Sequence, residues 1–328
     1  MQIKWGILGN AKIARNAMIP AFKKANHAEL VGIASSSGTA KETAAVYEIP
    51  KYYDSYQGLL DDPEINAVYI PLPNHLHKEW VIKTAAAGKH VLCEKPAALN
   101  AEETKDMIDE CASHNVLFME AFMYQFHPQH EMVKKLISEG VIGNVNFMRA
   151  HFSAFVDKAS SNFRLFKNMG GGSVYDVGCY CMHAFRNILN SEPVEIFARS
   201  QPDAELKIDM TTTVSMLMEN GIQAVFDCSF EQQYREKYEV VGEKGTIEVL
   251  YPFRPDLHGT AIINVMDEEG NITEYRVEGD QYVLQVEHFS NCILTGQIPQ
   301  YTVDNSINNM KAIDAVYRSI EEKKQVNL

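Results

Sequence analysis

The chain has 328 residues, 46% of them hydrophobic, which is enough for two ordinary domains with full cores. A net charge of −13 offers no basic excess to release counterions, which argues against nucleic acid or an anionic membrane as a partner but leaves room for a small anionic cofactor at a local site. No apolar run approaches the ~20 residues of a membrane span. Met1-Gln2-Ile3-Lys4-Trp5-Gly6 enters a strand pattern at once, so no signal peptide is expected. The cysteines Cys93, Cys111, Cys179, Cys181, Cys228 and Cys292 lack zinc-type or thioredoxin-type spacing and read as free core thiols of a cytoplasmic protein.

The first third alternates strands and helices. Strands are expected at 3–9, 30–35, 67–72, 90–93 and 116–119. Helices are expected at 11–25, 39–47, 75–87 and from 99–100 through 113, with Gly88 as a C-terminal cap. Short buried strands separated by helices of this length make βαβ units, hence a parallel doubly wound sheet with right-handed crossovers. The pattern then changes. After a helix at about 128–138, strands are expected at 145–155, 194–199, 212–218, 223–229, 238–241, 246–250, 261–266 and 273–277. Turns at Glu219-Asn220-Gly221, Gly242-Glu243-Lys244-Gly245 and Asp267-Glu268-Glu269-Gly270 suit antiparallel hairpins. Helices at 176–190, 281–294 and 305–322 complete the set. The fold class is therefore α/β: an N-terminal dinucleotide-binding Rossmann domain, residues 1–121, and a C-terminal α+β domain with an open, mostly antiparallel sheet, residues 122–328.

The turn after the first strand reads Gly6-Ile7-Leu8-Gly9-Asn10-Ala11-Lys12-Ile13-Ala14. Counted from Gly9 it is Gly-x-Ala-x-x-Ala. The dinucleotide fingerprint needs glycine first for the tight turn, a small residue second for the pyrophosphate, and Gly or Ala third for helix packing. Ala11 departs from glycine, and any alanine-rich strand-to-helix turn could look similar. The second strand would end in an acid to hold the ribose 2′-hydroxyl of NAD. It ends Ala34-Ser35-Ser36-Ser37, with Lys41 a turn away, which favours the 2′-phosphate of NADP over NAD. The third strand runs into Pro71-Leu72-Pro73-Asn74-His75-Leu76-His77, where two prolines would stiffen a loop against the nicotinamide ribose; no third ligand makes the histidines a metal site. Lys95, in Glu94-Lys95-Pro96, follows the fourth strand, at the carboxyl end where open α/β sheets bind ligands.

As a set, these motifs resemble the Gfo/Idh/MocA oxidoreductases over essentially the whole chain. The carriers are Gly9 with Ala11 and Ala14, Pro73-Asn74 with His77, Glu94-Lys95-Pro96, the segment from Glu120 to Pro128, and the run from Gly170 through Tyr180. Asn162-Phe163-Arg164, Gly170-Gly171-Gly172 and Asp176-Val177-Gly178-Cys179-Tyr180 with Arg186 look like the branch of dimeric dihydrodiol dehydrogenase and NADP-dependent D-xylose dehydrogenase. Most of the family has histidine where this chain has Tyr180 and aspartate where it has His183. Gln125 stands where related sequences often have arginine.

The resemblance implies an NAD(P)-dependent hydride transfer at a secondary alcohol or carbonyl of a sugar, polyol or cyclic diol. Expected cofactor contacts are Gly9, Asn10, Ala11, Lys12, Ile13, Ser35, Ser36, Leu72, Pro73, Asn74, His77, Glu94, Lys95 and Gln125. Expected substrate contacts are Tyr124, Phe155, Arg164, Asp176 and Tyr180, with Phe122, Phe126, Phe152 and Phe163 as further candidates for an apolar lining. Lys95 would stabilise alkoxide charge on the reacting oxygen. Tyr180 would transfer the proton, with Lys95 beside it favouring its loss, and Asp176 would orient Lys95 or bind a neighbouring hydroxyl. The bland alternatives are a core aromatic for Tyr180 and a helix N-cap for Asp176. A homodimer or homotetramer through an exposed apolar face of the second sheet is also implied. Two other functions fit the fold: a ligand sensor without turnover, and an NAD-dependent glycoside hydrolase.

Overall fold

The computed structural model describes residues 2–328. In chain order the regular elements begin with β1 (Ile3–Leu8), α1 (Ile19–Lys24), β2 (Ala28–Ala34), α2 (Ala40–Tyr47), β3 (Lys51–Tyr53), α3 (Tyr56–Leu60), β4 (Ala67–Ile70), α4 (His77–Ala86), β5 (His90–Cys93), α5 (Ala101–Ser113) and β6 (Phe118–Glu120). There follow α6 (Pro128–Ser138), β7 (Val145–Ser153), α7 (Cys179–Leu189), β8 (Pro193–Pro202), β9 (Asp209–Met218), β10 (Gln223–Ser229), β11 (Arg235–Gly242), β12 (Gly245–Val249), β13 (Ala261–Asp267), β14 (Ile272–Val277), α8 (Gln281–Thr295), α9 (Val303–Glu322) and β15 (Val326–Asn327).

The chain forms two compact units. The first comprises residues up to Met123 together with Gln281–Ile307. Its six strands pair in parallel in the order β3-β2-β1-β4-β5-β6. Strands covered on both faces must be apolar throughout, and β4 (Ala-Val-Tyr-Ile) is buried at every position. A single cut at residue 121 does not provide for the return of 281–307. The cause is Trp5 of β1, fully buried, whose ring packs on Phe22 and on Phe289 of α8, and whose indole N–H donates to Ser290 Oγ at 3.1 Å. Strand β3 and helix α3 are additional to the sequence reading. A three-residue edge strand carries too little pattern to be seen, and α3 starts on Ser55, whose hydroxyl accepts from Gly58 N–H.

The second unit, Tyr124–Asp280 with Asn308–Leu328, holds nine strands in the order β14-β13-β12-β11-β7-β10-β9-β8-β15. All pairs are antiparallel except β7 with β10. Alternation fixes which face is buried: Met148, Ala150 and Phe152 of β7 lie beside Ala224, Phe226 and Cys228 of β10 and Tyr238 and Val240 of β11. Helix α7 packs on β7 and β10. The opposite face bears a groove of about 560 Å³ in which charged and polar side chains, among them Arg149, His151, Arg199, Asp227, Lys237 and Glu239, stand beside apolar ones such as Phe197 and Val225, so it is a mixed surface where a continuous apolar patch was expected. Cross-strand ion pairs populate it, including Arg149–Glu239 at 2.6 Å and Arg235–Asp227.

Candidate active site

In the first unit, β1 is followed by Gly9, whose φ of +120° suits glycine alone; a Cβ there would stand 2.9 Å from Leu72 Cδ2. The helix opens at Lys12 and runs to Lys24, passing through a π turn at Ala14–Met18 before α1. The wide turn lies directly before Pro20, which lacks an N–H and would clash with a carbonyl one turn back in a regular ladder. Asn10 is half-buried and turns toward the start of α2. Its amide donates to Thr39 Oγ1 and Thr43 Oγ1, both at 2.8 Å, and its backbone oxygen accepts from Arg15 at 2.5 Å. Ala11 and Ile13 are half-buried and Lys12 is exposed.

The end of β2 is a hydroxyl cluster. Ser35 is buried and lies 2.8 Å from Ser37 Oγ and 3.2 Å from Thr39 Oγ1, while exposed Ser36 meets Tyr56 OH at 3.2 Å. Lys41 is exposed, its ammonium 5.9 Å from the Tyr52 ring centre. These features fit a dinucleotide: a glycine turn with no Cβ, a helix N-terminus behind it, and hydroxyls at the end of the second strand.

Lys95 leaves the carboxyl end of β5, half-buried, through a cis peptide to Pro96. Tyr69 OH donates to Glu94 Oε1 at 2.5 Å. Ala97 N–H donates to Glu120 Oε1 at 2.8 Å, and Tyr301 OH to Glu120 Oε2 at 3.2 Å. Leu72 is buried, Pro73 precedes a short 3₁₀ turn at Asn74–Leu76, and Asn74 is buried. His77 corrects an expectation. It is fully buried, with Nδ1 facing the carbonyls of Pro96 (3.0 Å) and Ala97 (3.1 Å) and Nε2 facing that of Leu72 (2.8 Å). Desolvation pushes its pKa down. His77 joins two loops and does not present a nitrogen to a ligand.

In the second unit, a π turn at Val174–Gly178 leads into α7. Asp176 lies inside that turn and pairs with Arg164 Nε at 2.7 Å, so it is not an N-cap. The helix start is held instead by buried Asp209, which accepts from Val174 N–H (2.7 Å), Ser173 Oγ (2.8 Å) and Tyr317 OH (2.9 Å). Burial raises the pKa of Asp209. Tyr180, four residues beyond Asp176, is 6% exposed. Its ring meets Phe152 at 5.4 Å and Phe253 at 5.3 Å, and Phe152 stacks on Phe253 at 5.2 Å. Tyr124 corrects a second expectation. It is fully buried, boxed by His130, His183 and Phe253, and its hydroxyl meets His183 Nδ1 at 2.5 Å. It is a core aromatic behind Tyr180, with ring centres 5.7 Å apart. Phe155 is 70% exposed and stands apart from the Tyr180 aromatics, whereas Phe163 lies under the Arg164 guanidinium. Gln125 is buried, and its Nε2 has no hydrogen-bond partner among the described residues. Such a donor fits a site built to receive an acceptor from a ligand.

Residues 3–122 match the oxidoreductase family with an NAD-binding Rossmann fold, Gfo/Idh/MocA, and residues 130–248 match that family's C-terminal domain. The chain belongs to this family. It is an NAD(P)-dependent oxidoreductase. It is 35% identical to a D-xylose 1-dehydrogenase (NADP(+)) of Haloferax volcanii, over 99% of each chain. It is 27% identical to a trans-1,2-dihydrobenzene-1,2-diol dehydrogenase of Xenopus laevis, over 90% of this chain and 91% of that one. Among solved structures, a 3-ketoreductase of Actinomadura kijaniata in complex with NADP and TDP-benzene superposes with a TM-score of 0.91, 26% identity and 98% coverage of each chain.

Several supporting residues escaped the sequence reading. Glu120 opens the segment from Glu120 to Pro128, and a lone acid closing a buried strand is the signal that could have found it. Asp209 and Phe253 sit in ordinary β contexts, and only their partners at long sequence separation reveal them. Glu236 is buried on β11, where it accepts from Tyr234 OH (2.8 Å), Phe253 N–H (2.7 Å) and Arg254 N–H (2.9 Å); desolvation raises its pKa to about 7.

Proposed function

We propose that this oxidoreductase is an NADP-dependent dehydrogenase or reductase of a secondary alcohol or carbonyl on a sugar, polyol or cyclic diol. The observation that carries the reading is Lys95 at the carboxyl end of β5, two strands from the Gly9 turn of β1, on the side of a parallel sheet where such folds bind ligands. The hydroxyl cluster at Ser35, Ser36 and Ser37 supports NADP, since an acid there would repel a 2′-phosphate. The xylose dehydrogenase and ketoreductase relatives, both named with NADP, support the same choice.

When bound, the nicotinamide supplies or accepts the hydride. The chain's own residues handle the oxygen. In our reading the Lys95 ammonium donates to it and offsets alkoxide charge, and Tyr180 exchanges the proton. Asp176, steadied by Arg164, binds a neighbouring hydroxyl. Phe152 and Phe253 offer Tyr180 a low-dielectric flank. We further propose a cytoplasmic protein, supported by six buried cysteines that form no disulfide, and self-association through the groove of the nine-stranded sheet, whose paired charges suit a wet, polar interface.

The test follows nicotinamide absorbance with D-xylose and with trans-1,2-cyclohexanediol in the presence of NADP. Lys95→Ala should lower turnover ~10²-fold or more, the scale of losing one such donor. Tyr180→Phe removes only the hydroxyl and should lower turnover with cofactor affinity unchanged. Cofactor binding without turnover on any sugar or diol would favour the sensor. Full activity of Lys95→Ala would overturn the mechanism.

A further inference from the structure

We infer that Glu120 is a positioning residue for Lys95, an inference that rests on the reading of Lys95 given above. Each neighbour of Lys95 along the chain is tied to a different element. Glu94 is tied to β4 through Tyr69, Pro96 faces His77 of α4, and Ala97 is tied to β6 through Glu120. Only the last of these uses a carboxylate with no exposure at all. Burying such a group is costly unless it is well satisfied. Glu120 is bonded on both oxygens, by one backbone N–H and one phenol. The phenol belongs to Tyr301, itself buried with its ring 5.6 Å from that of Phe122. A backbone acceptor of this kind fixes where the loop lies, and a catalytic group displaced by ~1 Å can lose on the order of 10²-fold in rate.

Competitive acetylation with acetic anhydride, read by peptide mass spectrometry, reports the accessibility of each lysine without any substrate. Lys95 should react several-fold faster in Glu120→Ala than in the parent. Glu120→Gln keeps an acceptor for Ala97 N–H and should restore the parent rate. Lys135, with its side chain 72% exposed on α6, serves as the unchanged reference. A folded Glu120→Ala with the parent rate at Lys95 overturns the proposal. If that variant does not fold, Tyr301→Phe removes the phenol that holds the Glu120 carboxylate in place, and a parent rate there overturns the proposal equally. With D-xylose and NADP, Glu120→Ala should lower kcat about 10-fold or more in the parent and leave it unchanged in a Lys95→Ala background. Equal losses in both backgrounds mean that Glu120 does not act through Lys95. Full activity of Lys95→Ala instead removes the mechanism, and the acetylation rates then decide the positioning alone.

Discussion

Gly172 is the position at which one methyl group should disturb the candidate active site most directly. Its φ is +124°, and an ideal Cβ would stand 2.1 Å from Asp209 Oδ1 and 3.1 Å from Tyr317 OH. In Gly172→Ala the carboxylate must move, yet it accepts three close hydrogen bonds, two of which hold the start of the helix carrying Asp176 and Tyr180. Backbone strain at such a φ costs about 1–3 kcal/mol. One hydrogen bond lost to a carboxylate costs about 1.5–3 kcal/mol more. The sum, about 2.5–6 kcal/mol, reaches into the severe tail of single substitutions. At roughly 2–4 °C per kcal/mol for a unit of this size, the melting temperature should fall on the order of 10 °C by scanning calorimetry. Asp209→Ala clears the space. The double variant should therefore lose less than the two single losses added together, leaving mainly the strain term. A Gly172→Ala protein within ~1 kcal/mol of the parent, or strict additivity in the double variant, would refute the close-approach argument.

Two further outcomes test separate parts of the molecule. Ser36→Asp places a carboxylate on the exposed end of β2, and calorimetric titration should show preference swinging from NADP toward NAD by about 10²-fold, or ~3 kcal/mol. Tighter binding of NAD by the parent would overturn the NADP assignment. Glu236 has a folded pKa raised from 4.5 to about 7, chiefly by desolvation. Below the lower value it is protonated whether folded or not. Between the two only the unfolded chain ionises it, so stability is lost as pH rises through that window, and above about 7 the loss is complete. Glu236→Gln retains an acceptor for Phe253 and Arg254, and its melting temperature relative to the parent should climb across that range. A constant difference would show that Glu236 does not titrate there.

Much of the fold was legible because its signals are local. The βαβ alternation, the Gly9 turn and the short apolar strand before Lys95 each occupy a few consecutive residues and obey periodicity or turn chemistry. The open face of the second sheet is a harder case. Resemblance supplies an expectation of an apolar surface, and the period-two pattern that assigns alternate residues to each face sets Arg149, Asp227, Lys237 and Glu239 there beside Phe197 and Val225.

The site residues divide along the same line. A motif tells which residue stands near a ligand-binding edge, but not which way its side chain turns. His77 and Tyr124 both lie within recognised motifs, yet both turn inward, because their polar atoms meet acceptors or donors far along the chain: Pro96 and Ala97 for His77, His183 for Tyr124. Tyr124 and His183 are separated by 59 positions, and no local pattern encodes that meeting. Asp209 is the converse case. Nothing in the sequence around it suggests an active site, and it matters because Gly172 leaves space for its carboxylate beneath the start of a helix. The glycine run and the distant acid are one feature seen from two places. Its function, to set the helix on which Asp176 and Tyr180 stand, emerges only when the two are brought within hydrogen-bond reach.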